Sequence, residues 1–202
     1  MKTYSLQLAD NQLITYRDRK RHLWLLSMIY PLLALSGVGL YLATGSQWLL
    51  LTPLVSIYGG ASLFDWLLGT DKSNPPEELV PQLEEDPYYR WLPMLTVPLH
   101  VVVLVVIAGF TATHELSWLS ILVLALTAGL YSGLAINTAH ELGHKKTELE
   151  RRLARIAAGI SLYGHFCIEH NRGHHRHVAT PEDPASSRMG ENIYGFALRE
   201  IP

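Results

Sequence analysis

Residues 118–144 read WLSILVLALTAGLYSGLAINTAHELGH, an apolar run that ends in two histidines. The part from Trp118 to Ala139 contains no charged residue, and a helix of about 20 apolar residues crosses the hydrocarbon core of a bilayer. Three further runs of this length precede it, and only one of them, which contains Asp65, carries a charge. The sequence therefore predicts an all-α integral membrane protein with transmembrane helices at about 23–43, 48–69, 91–113 and 118–140.

The segments between and after these helices are polar and irregular. Residues 71–90 are acidic and punctuated by prolines, which predicts a loop with one short helix. A later apolar run, 156–168, is only thirteen residues long. It is too short to cross a membrane, so we expect a short interfacial helix there. We expect residues 1–202 to form a single membrane domain whose histidine-rich region covers 140–191.

Lysines and arginines lie on one side of the predicted helices. Short cytoplasmic loops are enriched in both residues, whereas the loops 44–47 and 114–117 contain neither. The pattern predicts that the amino terminus and the histidine-rich region are cytoplasmic. The basic residues that carry this prediction are Arg17, Arg19, Lys20, Arg21, Lys72, Arg90, Lys145, Lys146, Arg151, Arg152 and Arg155.

Cysteine content and missing motifs exclude several kinds of redox protein. Cys167 is the only cysteine, so the chain has no internal disulfide, no four-cysteine iron–sulfur cluster and no paired-cysteine zinc site. The sequence also lacks a phosphate-binding glycine loop and a dinucleotide fingerprint. Any electrons for a redox reaction must come from outside the chain.

Five of the ten histidines are spaced as metal ligands. His140 and His144 are four residues apart, as are His170 and His174, and His175 follows directly. Residues four apart share one face of a helix, and imidazole binds iron, zinc, copper and nickel. Both groups fall on the predicted cytoplasmic side, so they predict one metal site there.

Two other kinds of function remain open from the residues alone. His140-Glu141-Leu142-Gly143-His144 matches the zinc-metalloprotease pattern, in which Glu141 is the general base. A membrane metalloprotease leaves the second histidine group unexplained, because a catalytic zinc needs three protein ligands. A metal transporter needs polar residues through the membrane, and the last two helices have almost none at mid-depth.

The sequence around the histidines resembles that of the bacterial alkane hydroxylases, a branch of the membrane fatty-acid desaturase and hydroxylase superfamily. The stretches that carry the resemblance are NTAHELGHKK at 137–146, EHNRGHH at 169–175, ATPEDPASSRMGE at 179–191, NPPEE at 74–78 and YYR at 88–90. They extend over most of the chain. The same stretches are less like fatty-acid desaturases.

The resemblance implies terminal hydroxylation of medium- to long-chain n-alkanes to primary alcohols, with O2 and two non-haem irons. It further implies rubredoxin as electron donor, an NADH-dependent rubredoxin reductase, and a bacterial inner membrane. The family has six helices and further histidines in its carboxy-terminal half, so we expect this chain to be an amino-terminal half that is inactive alone. The iron ligands implied here are His140, His144, His170, His174 and His175.

Residues near the histidines have secondary candidate roles. We expect Glu141 to act in the site or to orient a histidine, and Asp65, Glu169 and Asp183 to orient ligand histidines by hydrogen bonds. Gly129, Gly133 and Asn137 follow one another at intervals of four and share a helical face that ends at the histidines. This face is a candidate alkane channel, and the alternative is a glycine motif for helix packing.

Overall fold

The computed structural model describes residues 2–71 and 73–200, so Lys72 lies outside the described residues. Four helices in this part of the chain are long and apolar enough to cross a membrane, which confirms the predicted transmembrane helices. They are α1 (Arg21–Thr44), α2 (Gln47–Leu68), α4 (Pro87–Thr113) and α5 (Trp118–Gly143). The protein is a multi-pass membrane protein.

A two-stranded antiparallel hairpin precedes the helices and was not predicted. Strand β1 (Lys2–Gln7) pairs with β2 (Leu13–Asp18), and Lys2 lies opposite Asp18. An isolated hairpin is only marginally stable in water. Its stability must therefore come from contacts with the rest of the chain.

Asp86, in the acidic connector before α4, is the main anchor of the hairpin. Its carboxylate accepts hydrogen bonds from Lys2 Nζ at 2.8 Å and from the Tyr4 hydroxyl at 2.5 Å. It also accepts two from Arg21, at 2.6 and 3.0 Å, and one from the Tyr88 backbone N–H at 2.9 Å, which caps α4. These bonds, with the one from Arg21 as the largest cause, hold the pKa of Asp86 well below its usual range.

The predicted short helix of the connector is present as α3 (Val80–Glu84), after a 3₁₀ turn at Glu77–Leu79. The predicted interfacial helix at 156–168 is divided instead. Helix α6 begins earlier and ends at Ile160 (Glu148–Ile160), and a second helix, α7, covers 166–177. Leu162 separates them with a left-handed φ of 61°. This turn ends α6, because a left-handed residue does not continue a right-handed helix.

Two groups of buried side chains hold the helices together. One lies within the membrane-spanning bundle and joins α1, α2, α4 and α5 around Leu50, Leu124 and Tyr131. The other lies beside the histidines, where small residues of α6 pack on α4 and α5; it consists of Met94, Val97, Ala139, Leu142, Ala154, Ala157 and Ala158. Arg90 of α4 also forms a 3.1 Å ion pair with the buried Glu150 of α6. Helix α6 is therefore fixed against the end of α5 that carries the first histidines.

Candidate metal centre

The end of α5 places the first two histidines. The helix continues to Gly143, and His144 keeps helical dihedral angles as the capping residue. The rings of His140 and His144 therefore lie on one face, with centroids 4.8 Å apart. This is the arrangement that their spacing predicts.

Helix α7 places the second group in a way that the spacing did not predict. Residues His170–His174 form a π-helical turn, which is wider than an α-helical turn and closes with bonds five residues apart. As a result His170 faces His175, and their Nε2 atoms are 3.0 Å apart. The four-residue pattern had instead paired His170 with His174. Short π-helical segments are often found at functional sites.

Four imidazoles from α5 and α7 converge into one cluster. Ligand atoms of His140, His144, His170 and His175 all lie within 4.8 Å of one another. The ring of His170 is 4.5 Å from that of His140 and 5.3 Å from that of His144. An all-nitrogen donor set of this kind suits iron, zinc, copper or nickel rather than calcium or magnesium. The side chains present therefore fit a transition-metal site.

The pKa shifts of two of these rings, those of His144 and His170, favour metal binding. Burial, together with the neighbouring histidines, lowers the pKa of His170 to about 4. Burial also lowers the pKa of His144, and the charge of Glu141 opposes that shift. A ring with a lowered pKa is neutral at pH 7 and keeps a lone pair for a metal.

His174 lies beside the cluster and is bound to Asp183. Its ring stacks on His170 at 5.4 Å, while its Nδ1 is 2.8 Å from Asp183 Oδ2. The carboxylate side chain is only 1% exposed, and it also accepts hydrogen bonds from the Ser186 hydroxyl at 2.5 Å and the Ala185 N–H at 3.1 Å. These bonds, first that from Ser186, lower the pKa of Asp183. Asp183 is thus a charged acceptor for Nδ1 of His174. The other ring nitrogen, Nε2, therefore lies on the side of the ring that faces away from the carboxylate.

The remaining predicted carboxylates have other surroundings. Glu169 accepts a 2.5 Å hydrogen bond from Tyr163 and pairs with His165 at 3.2 Å, rather than with a histidine of the cluster. Glu141 is exposed beside His144. Asp65 is exposed on α2, and within the described residues its carboxylate has no hydrogen-bond or ion-pair partner. The structure thus brings Asp183, but neither Glu169 nor Asp65, into contact with a predicted ligand.

The predicted channel face of α5 is open. Gly129, Gly133 and Asn137 are all exposed, and a methyl group added at either glycine would meet nothing within 4 Å among the described residues. In this part of the protein the two glycines therefore do not pack against another helix.

Phe166 contributes to the cluster but was not predicted. Its ring stacks on His170 at 5.1 Å and meets His140 edge-on at 6.4 Å. The four-residue spacing of Phe166 and His170 was visible in the sequence. Such a spacing on an apolar segment is common, however, and does not by itself indicate a role near a metal.

Comparisons with known proteins find relatives along most of the chain. A family model described as Fatty acid desaturase matches residues 116–201, which include both histidine groups. Alkane 1-monooxygenase 1 of Alcanivorax borkumensis is 52% identical over 196 residues, which are 96% of this chain and 48% of that protein. Alkane 1-monooxygenase of Ectopseudomonas oleovorans is 51% identical over 93% of this chain and 47% of that protein. The protein of the same name from Pseudomonas putida is 50% identical, with 93% and 46% covered. The chain spans about half the length of these curated relatives, and the resemblance seen in the sequence is confirmed.

Proposed function

This chain is a homologue of the alkane 1-monooxygenases, and on that premise we propose that the complete protein hydroxylates the terminal methyl group of medium- to long-chain n-alkanes with O2. The products are primary alcohols and water. The observation that carries the proposal is the convergence of four imidazoles at the end of α5. A protease zinc needs only three protein ligands in total, so a cluster of this size supports the oxygenase over the HExxH alternative.

The proposed metal is a pair of non-haem irons. His140, His144, His170 and His175 hold it directly, and His174 is the fifth ligand of this chain, with its Nε2 lone pair kept free by the bond to Asp183. Further ligands come from the rest of the complete protein. When bound, the irons supply the reduction of O2 that cleavage of a strong C–H bond requires.

The protein side chains position and protect this chemistry. Asp183 fixes the tautomer of His174, and Phe166 holds the ring of His170 and limits access of water to it. Glu141 contributes a negative charge beside His144. Its exposure supports a further role, in which it accepts a proton or orients Lys145.

The proposed alkane path is the open face of α5. Gly129, Gly133 and Asn137 lie on this face, and Gly129 is about 16 Å from His140 along the axis at ~1.5 Å per residue. An extended hydrocarbon fits beside residues without bulky side chains. Its terminal methyl group is then presented at the histidine cluster.

Electrons reach the site from outside the chain, and we propose rubredoxin, reduced by an NADH-dependent reductase, as the donor. The basic residues of α6 support docking of an acidic carrier on the histidine side. Arg151, Arg152 and Arg155 are exposed there, and all three bond to Glu148, at 3.0–3.2 Å. We place the amino terminus and the histidines on the cytoplasmic side of the bacterial inner membrane, in accord with the basic loops.

Metal analysis tests this proposal. The complete protein, purified from membranes, is expected to contain two irons, and His170→Ala is expected to lose most of them. His165→Ala is the matched control, because His165 is on the same segment but pairs with the exposed Glu169. A single tightly bound zinc in place of iron, or an unchanged iron content in His170→Ala, would contradict the proposal.

A further inference from the structure

One close contact joins the two histidine-bearing helices. A methyl group built on Gly143 of α5 would lie 3.2 Å from Cys167 Sγ of α7 and 4.0 Å from Cys167 Cβ. The sulfur also lies 4.0 Å from the carbonyl oxygen of Ala139. The thiol therefore occupies the space that a side chain at position 143 would fill.

Gly143 differs from other glycines nearby. Among the described residues, a methyl group at Gly129, Gly133, Gly159 or Gly173 would meet nothing within 4 Å. A contact of 3.2 Å is tighter than nine in ten contacts that real Cβ atoms make, so the neighbour would have to shift by a few tenths of an ångström. At Gly143, unlike those positions, the missing side chain allows the approach of another helix.

The contact is directly connected to the histidines on both sides. Gly143 lies between His140 and His144, and Cys167 lies three residues before His170, so both share a helical face with a ligand. Phe166, next to Cys167, contacts His140 and His170 as well. The rings of His140 and His170 have centroids 4.5 Å apart. A shift of Cys167 away from α5 would therefore move His170 relative to His140.

We propose that the contact between Gly143 and Cys167 sets the separation of the two histidine groups, which makes both residues positioning residues for the metal. This inference rests on the proposed metal function. It assigns the glycine of the first motif and the single cysteine a shared role: the absent side chain of one makes room for the thiol of the other. Small errors in ligand placement weaken metal binding strongly.

A methyl-exchange experiment tests the contact. In the complete protein, Gly143→Ala is expected to weaken iron binding on the order of tenfold. Cys167→Ala keeps the Cβ atom and loses only the sulfur, so it is expected to weaken iron binding measurably but less than Gly143→Ala does. The double variant Gly143→Ala/Cys167→Ala should recover iron binding to within about twofold of wild type, because the two remaining Cβ atoms would be 4.0 Å apart. Gly159→Ala is the matched control, since its methyl group meets nothing within 4 Å.

A second readout does not depend on the metal. A cavity of about 250 Å³ adjoins Gly143 and Cys167, so an alanine at position 143 is expected to displace Cys167, together with its turn of α7, towards it. The rate of maleimide labelling at Cys167, located by peptide mass spectrometry, should then rise in Gly143→Ala. If the wild type contained no iron but this rate rose, the proposed metal function would fail while the contact stood.

Two results would overturn the positioning role. The first is normal iron binding in Gly143→Ala, because the thiol alone would then have absorbed the methyl group. The second is a double variant that binds iron no better than Gly143→Ala. The same conclusion would follow if both Gly143→Ala and the double variant failed to accumulate in the membrane. In that case the alanine acts within the first histidine motif and not through Cys167.

Discussion

Replacing Asp183 by asparagine is expected to change which ring nitrogen of His174 carries the hydrogen. At present the His174 Nδ1–H donates to the carboxylate at 2.8 Å, which leaves the Nε2 lone pair available as a ligand. An asparagine amide at the same place can donate to Nδ1 instead. The ring proton then moves to Nε2, and that nitrogen can no longer bind a metal.

The size of the effect follows from the burial of the pair. Asp183 is 1% exposed and His174 28% exposed, so water cannot readily replace the lost acceptor. Removing a carboxylate that orients a ligand histidine costs about 10- to 100-fold in metal affinity. The Ser186 hydroxyl, 2.5 Å from the same carboxylate oxygen, loses its acceptor too. We therefore expect Asp183→Asn to weaken iron binding by about 10- to 100-fold.

Competition with a coloured Fe(II) chelator measures this affinity in the purified complete protein. Glu182→Gln is the matched control, because Glu182 pairs with His177 at 3.3 Å but is 76% exposed. This control is expected to bind iron as the wild type does. Equal affinity of wild type and Asp183→Asn would show that Asp183 does not orient His174 for the metal, and so would an equal loss in the control.

Three further predictions concern the hairpin, the docking surface and the channel. Asp86→Asn should lower the free energy of unfolding, measured by thermal denaturation, by about 2 kcal/mol. This loss is smaller than that from breaking a fully buried ion pair, because the Arg21 side chain is 20% exposed. Because the pKa of Asp86 is lowered on folding, the stability that its carboxylate contributes is present above pH ~4 and is lost as the pH falls towards the folded pKa. Equal stability of the wild type and Asp86→Asn at pH 7 would contradict this prediction. Reversing Arg151 and Arg152 to glutamate should slow reduction by rubredoxin more at low salt than at high salt, and an unchanged salt profile would exclude docking there. Gly133→Phe should leave iron content normal and shift activity to shorter alkanes, whereas an equal loss on all chain lengths would place the channel elsewhere.

The transmembrane helices were predictable because their signal is local. Each is an apolar run of sufficient length, and the four observed helices contain nearly all of the predicted ones. Their ends depend on particular contacts. Helix α4 begins at Pro87 rather than near residue 91, because the Asp86 side chain caps it. The same carboxylate anchors the hairpin through residues more than sixty positions away, which no local pattern reveals.

The candidate site was predictable as a set of residue types but not as an arrangement. The pair His140 and His144 lies on a regular helix end, so its spacing was sufficient. The second group was not, because a π-helical turn pairs His170 with His175 and leaves His174 to Asp183. Asp183 was one of four candidate carboxylates, and its burial distinguishes it from the exposed Glu141, Glu169 and Asp65. The break at Leu162, which allows α7 to return to α5, depends on backbone geometry rather than on composition.

Isotope labelling is the most direct test of whether the complete protein inserts an oxygen atom from O2 into an alkane. The complete protein, supplied with iron, a reducing system and ¹⁸O2, is incubated with an n-alkane, and the product is analysed by mass spectrometry. We expect a primary alcohol that carries one ¹⁸O atom, formed by the wild type and lost in His170→Ala. An unlabelled alcohol, no oxidation by the iron-loaded wild type, or full activity in His170→Ala would contradict it.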